Sequence, residues 1–148
     1  MTRWPLRQVA FVGFGLIGSS LARVMREQNL VERITAASRS SQTLATARQL
    51  GLIDIGYADP ADAVRGADLV ILAMPVNATE SILRAIKPAL SAQAVITDVG
   101  STKGNVVAAA EAVWGQVPAT FVPGHPIAGS EQSGVVAGRA NLFAGHKV

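Results

Sequence analysis

Three glycines near the start of the chain constrain its fold more than any other feature. Gly13, Gly15 and Gly18 form a GxGxxG element, which follows a short apolar run at residues 8–12 and opens a helical pattern at residues 17–28. At this spacing the first glycine allows a tight turn, the second lets the backbone approach a pyrophosphate, and the third lets the helix pack closely on the strand. The element therefore predicts a dinucleotide-binding loop at a helix N-terminus. The alternative is that these residues form a strand-to-helix turn in which glycine has a structural role alone.

Short apolar segments alternate with helical patterns along most of the 148 residues. Strands are predicted at residues 8–12, 34–37, 69–73, 94–97 and 120–122. Helices are predicted at residues 17–28, 61–65, 79–86 and 103–113. A further helix is predicted to begin at a cap, Ser40 or Ser41, and to end at Leu50. Such alternation favours βαβ units. We therefore expect one α/β domain over residues 1–148, with a Rossmann-type, doubly wound, mainly parallel sheet and helices on both faces.

The composition excludes several classes of protein. The chain has no cysteine, so disulfides, thiolate catalysis and cysteine-based zinc sites are excluded. Its 13 Lys and Arg residues exceed its 10 Asp and Glu residues, but they are scattered and form no basic cluster for nucleic acid. The apolar stretch at residues 9–17 is far shorter than the about 20 residues that span a bilayer. We expect a cytoplasmic protein without a membrane, nucleic-acid or metal partner.

The residues about 20 positions beyond the glycine loop should contact the adenosine ribose of the dinucleotide. Ser38, Arg39 and Ser40 occupy that place, and no Asp or Glu is there to accept hydrogen bonds from a free 2′-hydroxyl. A guanidinium between two hydroxyls suits a 2′-phosphate instead. The sequence thus favours NADP over NAD. The alternative is that Arg39 is a solvated surface charge and that either cofactor binds.

Other residues are expected beside the cofactor because they lie in the glycine loop or follow a predicted strand, where ligands of doubly wound sheets bind. These residues are Phe14, Leu16, Ile17, Ala73, Met74, Pro75, Val76 and Gly100. The segment from Ala73 to Val76 has an alternative reading as a plain strand end closed by proline.

His125 is the candidate acid–base residue. It lies in a Gly- and Pro-containing segment just after the last predicted strand, whereas the second histidine, His146, has no assigned role. An imidazole titrates near neutral pH and can accept a proton from a substrate hydroxyl. Ser101 could hydrogen-bond the same hydroxyl or orient His125. The alternatives are a structural histidine bonded to the backbone and a serine that caps the next helix.

Three segments together resemble the nucleotide-binding half of the prephenate/arogenate dehydrogenase family, the oxidative enzymes of tyrosine biosynthesis. They are GFGLIGSS at residues 13–20, DVGSTK at residues 98–103 and GHPIAGSE at residues 124–131, and NLF at residues 141–143 also fits. The first segment is shared with many Rossmann enzymes, and the third is the most discriminating. The resemblance covers nearly the whole chain.

The resemblance implies the oxidative decarboxylation of prephenate or arogenate with NADP, the preferred cofactor, or NAD. A hydride leaves C4 of a cyclohexadienol for the nicotinamide, the C4 hydroxyl loses a proton, and CO2 departs as the ring becomes aromatic. His125 matches the catalytic histidine that accepts this proton. Ser101 matches the serine that bonds that histidine and the substrate hydroxyl. Ser130 and Glu131 match residues of the substrate pocket.

Family members continue into a helical domain that forms the dimer and supplies an arginine for the substrate carboxylates. We expect that domain to be absent from this chain, the full-length protein to be a homodimer, and this half alone to bind cofactor without turnover. Two other functions stay open. One is a catalytically silent dinucleotide-binding or redox-sensing module. The other is a dehydrogenase of the β-hydroxyacid or imine-reductase type, which would place a lysine in a later helix.

Overall fold

Six strands and five helices alternate along the part of the chain that the computed structural model describes, residues 6–73, 78–98, 103–116 and 118–122. The strands are β1 (Leu6–Val12), β2 (Val31–Ala37), β3 (Ile55–Tyr57), β4 (Leu69–Leu72), β5 (Val95–Asp98) and β6 (Phe121–Val122). The helices are α1 (Leu16–Glu27), α2 (Ser41–Gln49), α3 (Pro60–Val64), α4 (Thr79–Ile86) and α5 (Lys103–Trp114), and a 3-10 turn (Lys87–Ala89) follows α4.

The strand order places β1 at the centre of a parallel sheet. The order is β3-β2-β1-β4-β5-β6, and each of these neighbouring pairs is parallel. The chain therefore builds one half of the sheet outward from β1, and then crosses back to build the other half from β4. The connections leave β1 and β4 in opposite directions, which opens a crevice at their carboxyl ends. This topology confirms the predicted Rossmann-type, doubly wound α/β fold.

Both faces of the sheet are covered, and alternate residues of β1 enter two separate cores. Val9 and Phe11 lie in the core that includes residues of α1 and α2. Ala10 and Val12 lie in the core shared with α3, α4 and α5. Side chains alternate across a strand, so a strand buried on both faces has a nearly continuous apolar run. The run of Val9 to Val12, which follows the buried Gln8, is therefore the signal of a central strand.

All the predicted strands and helices occur, with small shifts at their ends. Of the two candidate caps of α2, Ser40 is the one used, because its Oγ accepts a hydrogen bond from the Thr43 backbone N–H at 3.1 Å. One strand, β3, was not predicted. It has only three residues, Gly56 lies at its centre, and Ile55 is exposed. Its strand conformation comes from pairing with β2.

Two buried polar side chains attach α3 to the sheet. Thr35 is 1% exposed, and its Oγ1 donates to the Ala63 carbonyl oxygen at 2.7 Å. The amide nitrogen of Gln8 donates to the carbonyl oxygens of Ala63 at 3.3 Å and Arg65 at 3.0 Å, and its Oε1 accepts from Arg33 Nη2 at 2.7 Å. The last carbonyls of a helix have no partner within the helix, so the sheet side chains supply their donors.

We expect Thr35→Val to lower the free energy of unfolding by about 1–2 kcal/mol, because valine keeps the shape but removes the hydrogen bond to the buried Ala63 carbonyl. Urea denaturation measures this change. Thr46→Val on α2 is the matched control, since its hydroxyl accepts only a 3.5 Å bond from Gln42 at the surface. Equal stability of the two variants would contradict the role assigned to Thr35.

Candidate cofactor-binding site

The glycine loop lies where three strands end side by side. Gly13 follows β1 directly, and its backbone N–H donates to the Ala37 carbonyl of β2 at 2.8 Å. On the other side of β1, the Ala73 N–H donates to the Val12 carbonyl at 2.8 Å. Gly13 has a φ of 84°, a left-handed conformation that costs side-chain-bearing residues energy. Glycine is therefore required at this turn, and the loop opens at the crevice between β1 and β4.

Gly15 faces open space at the start of α1. It is the N-cap residue, no side chain there accepts a hydrogen bond, and the first turn carries no acidic residue. A Cβ built on Gly15 would have no atom of the described chain within 4 Å, its chain neighbours aside. The first N–H groups of a helix lack partners within the helix and carry partial positive charge. The arrangement therefore fits an anionic pyrophosphate that approaches the backbone closely.

Gly18 brings α1 close to both β1 and β4. A Cβ on Gly18 would lie 3.5 Å from ring carbons of Phe11 and Phe14 and 3.6 Å from the Cβ of Ala73, which are ordinary van der Waals distances. A methyl group would therefore fit, and only larger side chains would force α1 away. The expected close packing of α1 on the sheet therefore excludes only side chains larger than that of alanine at position 18.

The ring of Phe14 belongs to the core. It is 4% exposed and meets the ring of Phe11 edge to face, with the ring centroids 5.4 Å apart. The side chain therefore stabilises the packing of α1 on β1. Only the backbone of Phe14 is therefore available for the expected contact with the cofactor.

The three residues expected at the ribose form the turn between β2 and α2. The Ser38 backbone N–H donates to the Tyr57 carbonyl at 3.2 Å, and Ser38 Oγ accepts from the Ser40 N–H at 3.1 Å. Arg39 is exposed and forms no ion pair with a residue of the described ranges. Ser40 Oγ accepts the Thr43 N–H of α2, so each serine oxygen accepts one backbone N–H. A hydroxyl that accepts one bond can still donate another.

Several expected site residues lie outside the described residues. These are Met74, Pro75, Val76, Gly100, Ser101, His125, Ser130 and Glu131. Leu16 and Ile17 begin α1, and only their backbone is described. The structure brings Gly13, Gly15, Gly18 and Ala73 together at one end of the sheet, with the turn of residues 38–40 at the next strand end.

Two further residues matter for the site and were missed in the sequence. Tyr57 holds Ser38 through its carbonyl, and Gly56 packs against α2. Both belong to β3, which has no apolar pattern that could have revealed it. Asp98, the first residue of the DVGSTK segment, ends β5 at the same carboxyl edge and is 2% exposed.

Within the described ranges, no group of three or more His, Cys, Asp or Glu side chains is placed to hold a metal ion. The helices in these same ranges are too short or too polar to cross a membrane.

The sequence matches the family model of the prephenate dehydrogenase nucleotide-binding domain over residues 21–148. It is 38% identical over 143 residues to the cyclohexadienyl dehydrogenase of Zymomonas mobilis, which covers 96% of this chain and 48% of that protein.

Solved structures agree with this match. A prephenate dehydrogenase from Aquifex aeolicus, in complex with hydroxyphenyl propionate and NAD+, superposes with a TM-score of 0.84 at 34% identity, covering 95% of this chain and 48% of that one. The arogenate dehydrogenase of Synechocystis gives a TM-score of 0.83 at 30% identity, covering 94% and 48%. This chain spans about half the length of these proteins. Together with the strand order and the glycine loop, these matches confirm the resemblance seen in the motifs. The chain belongs to the prephenate dehydrogenase family and carries its nucleotide-binding domain.

Proposed function

We propose that this chain is the cofactor-binding half of an enzyme that oxidatively decarboxylates prephenate or arogenate, with NADP preferred over NAD. The observation that carries the proposal is the open cradle at Gly15, which lies at the start of α1 at the crevice of a doubly wound sheet. Dinucleotides bind across this crevice with their pyrophosphate at the helix N-terminus. The family match supplies the class of reaction.

The preference for NADP is supported by the charges around the turn of residues 38–40. The exposed Arg39 guanidinium has no carboxylate partner in the described chain, so it is available to a phosphate. Ser38 and Ser40 each retain a hydroxyl proton to donate. The first turn of α2 carries no acidic residue, so its partial positive charge adds to the attraction. A ribose with a free 2′-hydroxyl would instead require a carboxylate acceptor there.

The proposed chemistry places proton transfer on residues after β5. The cofactor, when bound, supplies a nicotinamide that accepts a hydride. His125 is proposed to accept the proton of the C4 hydroxyl as C4 is oxidised, and Ser101 to hold both that hydroxyl and the imidazole. Ser130 and Glu131 are proposed to line the substrate pocket. Because loss of CO2 makes the ring aromatic, much of the driving force lies in the substrate, and the protein chiefly positions the reactants.

The substrate carboxylates need a cation that this proposal places in the other half of the protein. The family resemblance implies a helical domain with an arginine for this purpose, and a homodimer formed through that domain. We propose this organisation, and a cytoplasmic location, for the full-length protein.

We expect the chain to bind NADP+ more tightly than NAD+ in parallel calorimetric titrations, and Arg39→Ala to remove this preference. The substitution should raise the dissociation constant of NADP+ about tenfold or more, and that of NAD+ less than about twofold, because only NADP+ carries the 2′-phosphate that a guanidinium binds.

Arg48→Ala is the matched control for this titration, because Arg48 is an exposed arginine in the last turn of α2, at the far end of the helix from the turn that contains Arg39. Equal weakening of both nucleotides by Arg39→Ala would show that Arg39 does not contact the 2′-phosphate. Tighter binding of NAD+ by the unaltered chain would overturn the preference and keep the site. Binding of neither nucleotide would contradict the proposed function.

Gly15→Ala tests the cradle separately from the fold. The new methyl group would meet no described side chain, and alanine is a poorer N-cap than glycine, so we expect the free energy of unfolding to fall by about 1 kcal/mol or less. It would occupy the space of the pyrophosphate, so the dissociation constants of NAD+ and NADP+ should both rise about tenfold or more. Calorimetric titration and urea denaturation measure the two effects. Unchanged affinity would place the pyrophosphate elsewhere.

In the full-length enzyme, we expect His125→Ala to lower kcat about a hundredfold or more, as the loss of a general base does. Affinity for NADP+ should change little, because the proposed cofactor contacts lie in other segments. Steady-state kinetics and cofactor titration measure the two quantities. Near-normal turnover would remove His125 from the mechanism.

A further inference from the structure

Gly56 lies at the centre of β3, where this strand packs against α2. It is aligned with Ala36 of β2. A Cβ built on Gly56 would lie 3.0 Å from Leu44 Cβ, and 3.1 and 3.2 Å from the two Leu44 methyl carbons. Carbon atoms in favourable contact are about 3.5–4.0 Å apart, so a side chain at position 56 would be repelled by Leu44. The missing side chain of Gly56 therefore sets how closely α2 approaches the sheet.

Leu44 is connected directly to the turn of residues 38–40. It lies in the first turn of α2, and its backbone N–H donates to the Ser40 carbonyl at 3.2 Å. The side chain is half-buried and packs against the core that includes residues of α1 and α2. An outward movement of Leu44 would therefore carry Ser40 with it.

The other end of the turn is attached to β3 as well. The Ser38 N–H donates to the carbonyl of Tyr57, the residue after Gly56, at 3.2 Å. Arg39 thus lies between two attachment points, one at Tyr57 and one at the contact between Gly56 and Leu44. If α2 moves while Ser38 stays bonded to β3, the turn must distort at Arg39.

We infer that Gly56 is a positioning residue for recognition of the 2′-phosphate, acting through Leu44 and α2. The inference rests on the proposed preference of this turn for NADP. Charge-assisted hydrogen bonds from a guanidinium to a phosphate have donor–acceptor distances of about 2.7–2.9 Å, so a shift of a few tenths of an ångström weakens them. NAD has no phosphate at this place, and its affinity depends on the glycine loop instead.

The test compares the affinities of NADP+ and NAD+ in four proteins: the unaltered chain, Gly56→Ala, Leu44→Ala and the double variant. We expect Gly56→Ala to raise the dissociation constant of NADP+ about five- to tenfold, and that of NAD+ less than about twofold. The double variant loses both Leu44 methyl carbons and keeps only the 3.0 Å contact with the Cβ of residue 44, so its α2 is displaced less than in Gly56→Ala. Its ratio of NADP+ to NAD+ affinity should return to within about twofold of the unaltered chain.

Val64→Ala controls for a general loss of stability. Val64 lies in α3 and is fully buried in the core on the other face of the sheet from α2, so truncating it destabilises the fold without removing a contact between α2 and β3. Its ratio of the two affinities should stay unchanged, while urea denaturation confirms that each variant is folded at the titration temperature.

The outcomes separate this inference from the proposed function. If the unaltered chain prefers NADP+ and Gly56→Ala keeps the same preference, the positioning role of Gly56 is overturned and the proposed function stands. The positioning role of Gly56 is also overturned if Val64→Ala lowers the preference for NADP+ as much as Gly56→Ala does. It is overturned as well if the double variant does not regain that preference. An unaltered chain that binds neither nucleotide overturns the proposed function together with this inference.

Discussion

The structure depends on β1 being paired on both edges and buried on both faces. Residues Val9 to Val12 of this strand are buried, and the strand is parallel to β2 on one side and to β4 on the other. The two pairings end together, with Gly13 bonded to the Ala37 carbonyl and Ala73 bonded to the Val12 carbonyl. Beyond these bonds the connections diverge, and the backbone N–H groups of α1 face the resulting crevice. The proposed cofactor site is therefore a consequence of how the central strand ends.

Glycine occupies each of these positions for a different physical reason. Gly13 is required by a left-handed backbone conformation, and Gly56 by the repulsion that a side chain would meet from Leu44. Gly18 has room for a methyl group, whereas Gly15 would direct a side chain into open space. Backbone conformation and packing explain the first two without a ligand. Gly15, at a helix N-terminus with no described atom beside it, leaves room for an anionic ligand, which is why it supports a function and the others support the fold.

Much of the fold and the cradle follows from local sequence, and the rest depends on contacts between distant residues. An apolar run, three spaced glycines and a helical pattern predict β1, the loop and α1 because each signal lies within a few residues. β3 escapes prediction since its three residues become a strand only by pairing with β2. The sequence also could not place the ring of Phe14 against Phe11 in the core. Ser101, His125, Ser130 and Glu131 lie outside the described residues, so their roles stay predictions from the family resemblance.

Under the proposed function, affinity for a dinucleotide and discrimination between dinucleotides would arise in different parts of this sheet. The cradle at Gly15 and the end of β2 belong to one continuous β1–α1–β2 unit, which is the proposed site for the pyrophosphate common to NAD and NADP. The turn with Arg39 begins in that unit, but its geometry is held by β3, through the Tyr57 carbonyl and the packing of Gly56 on Leu44. On this proposal, a substitution in β3 would alter which cofactor is preferred while the common affinity is kept. The least predictable strand of the fold would then govern its cofactor specificity.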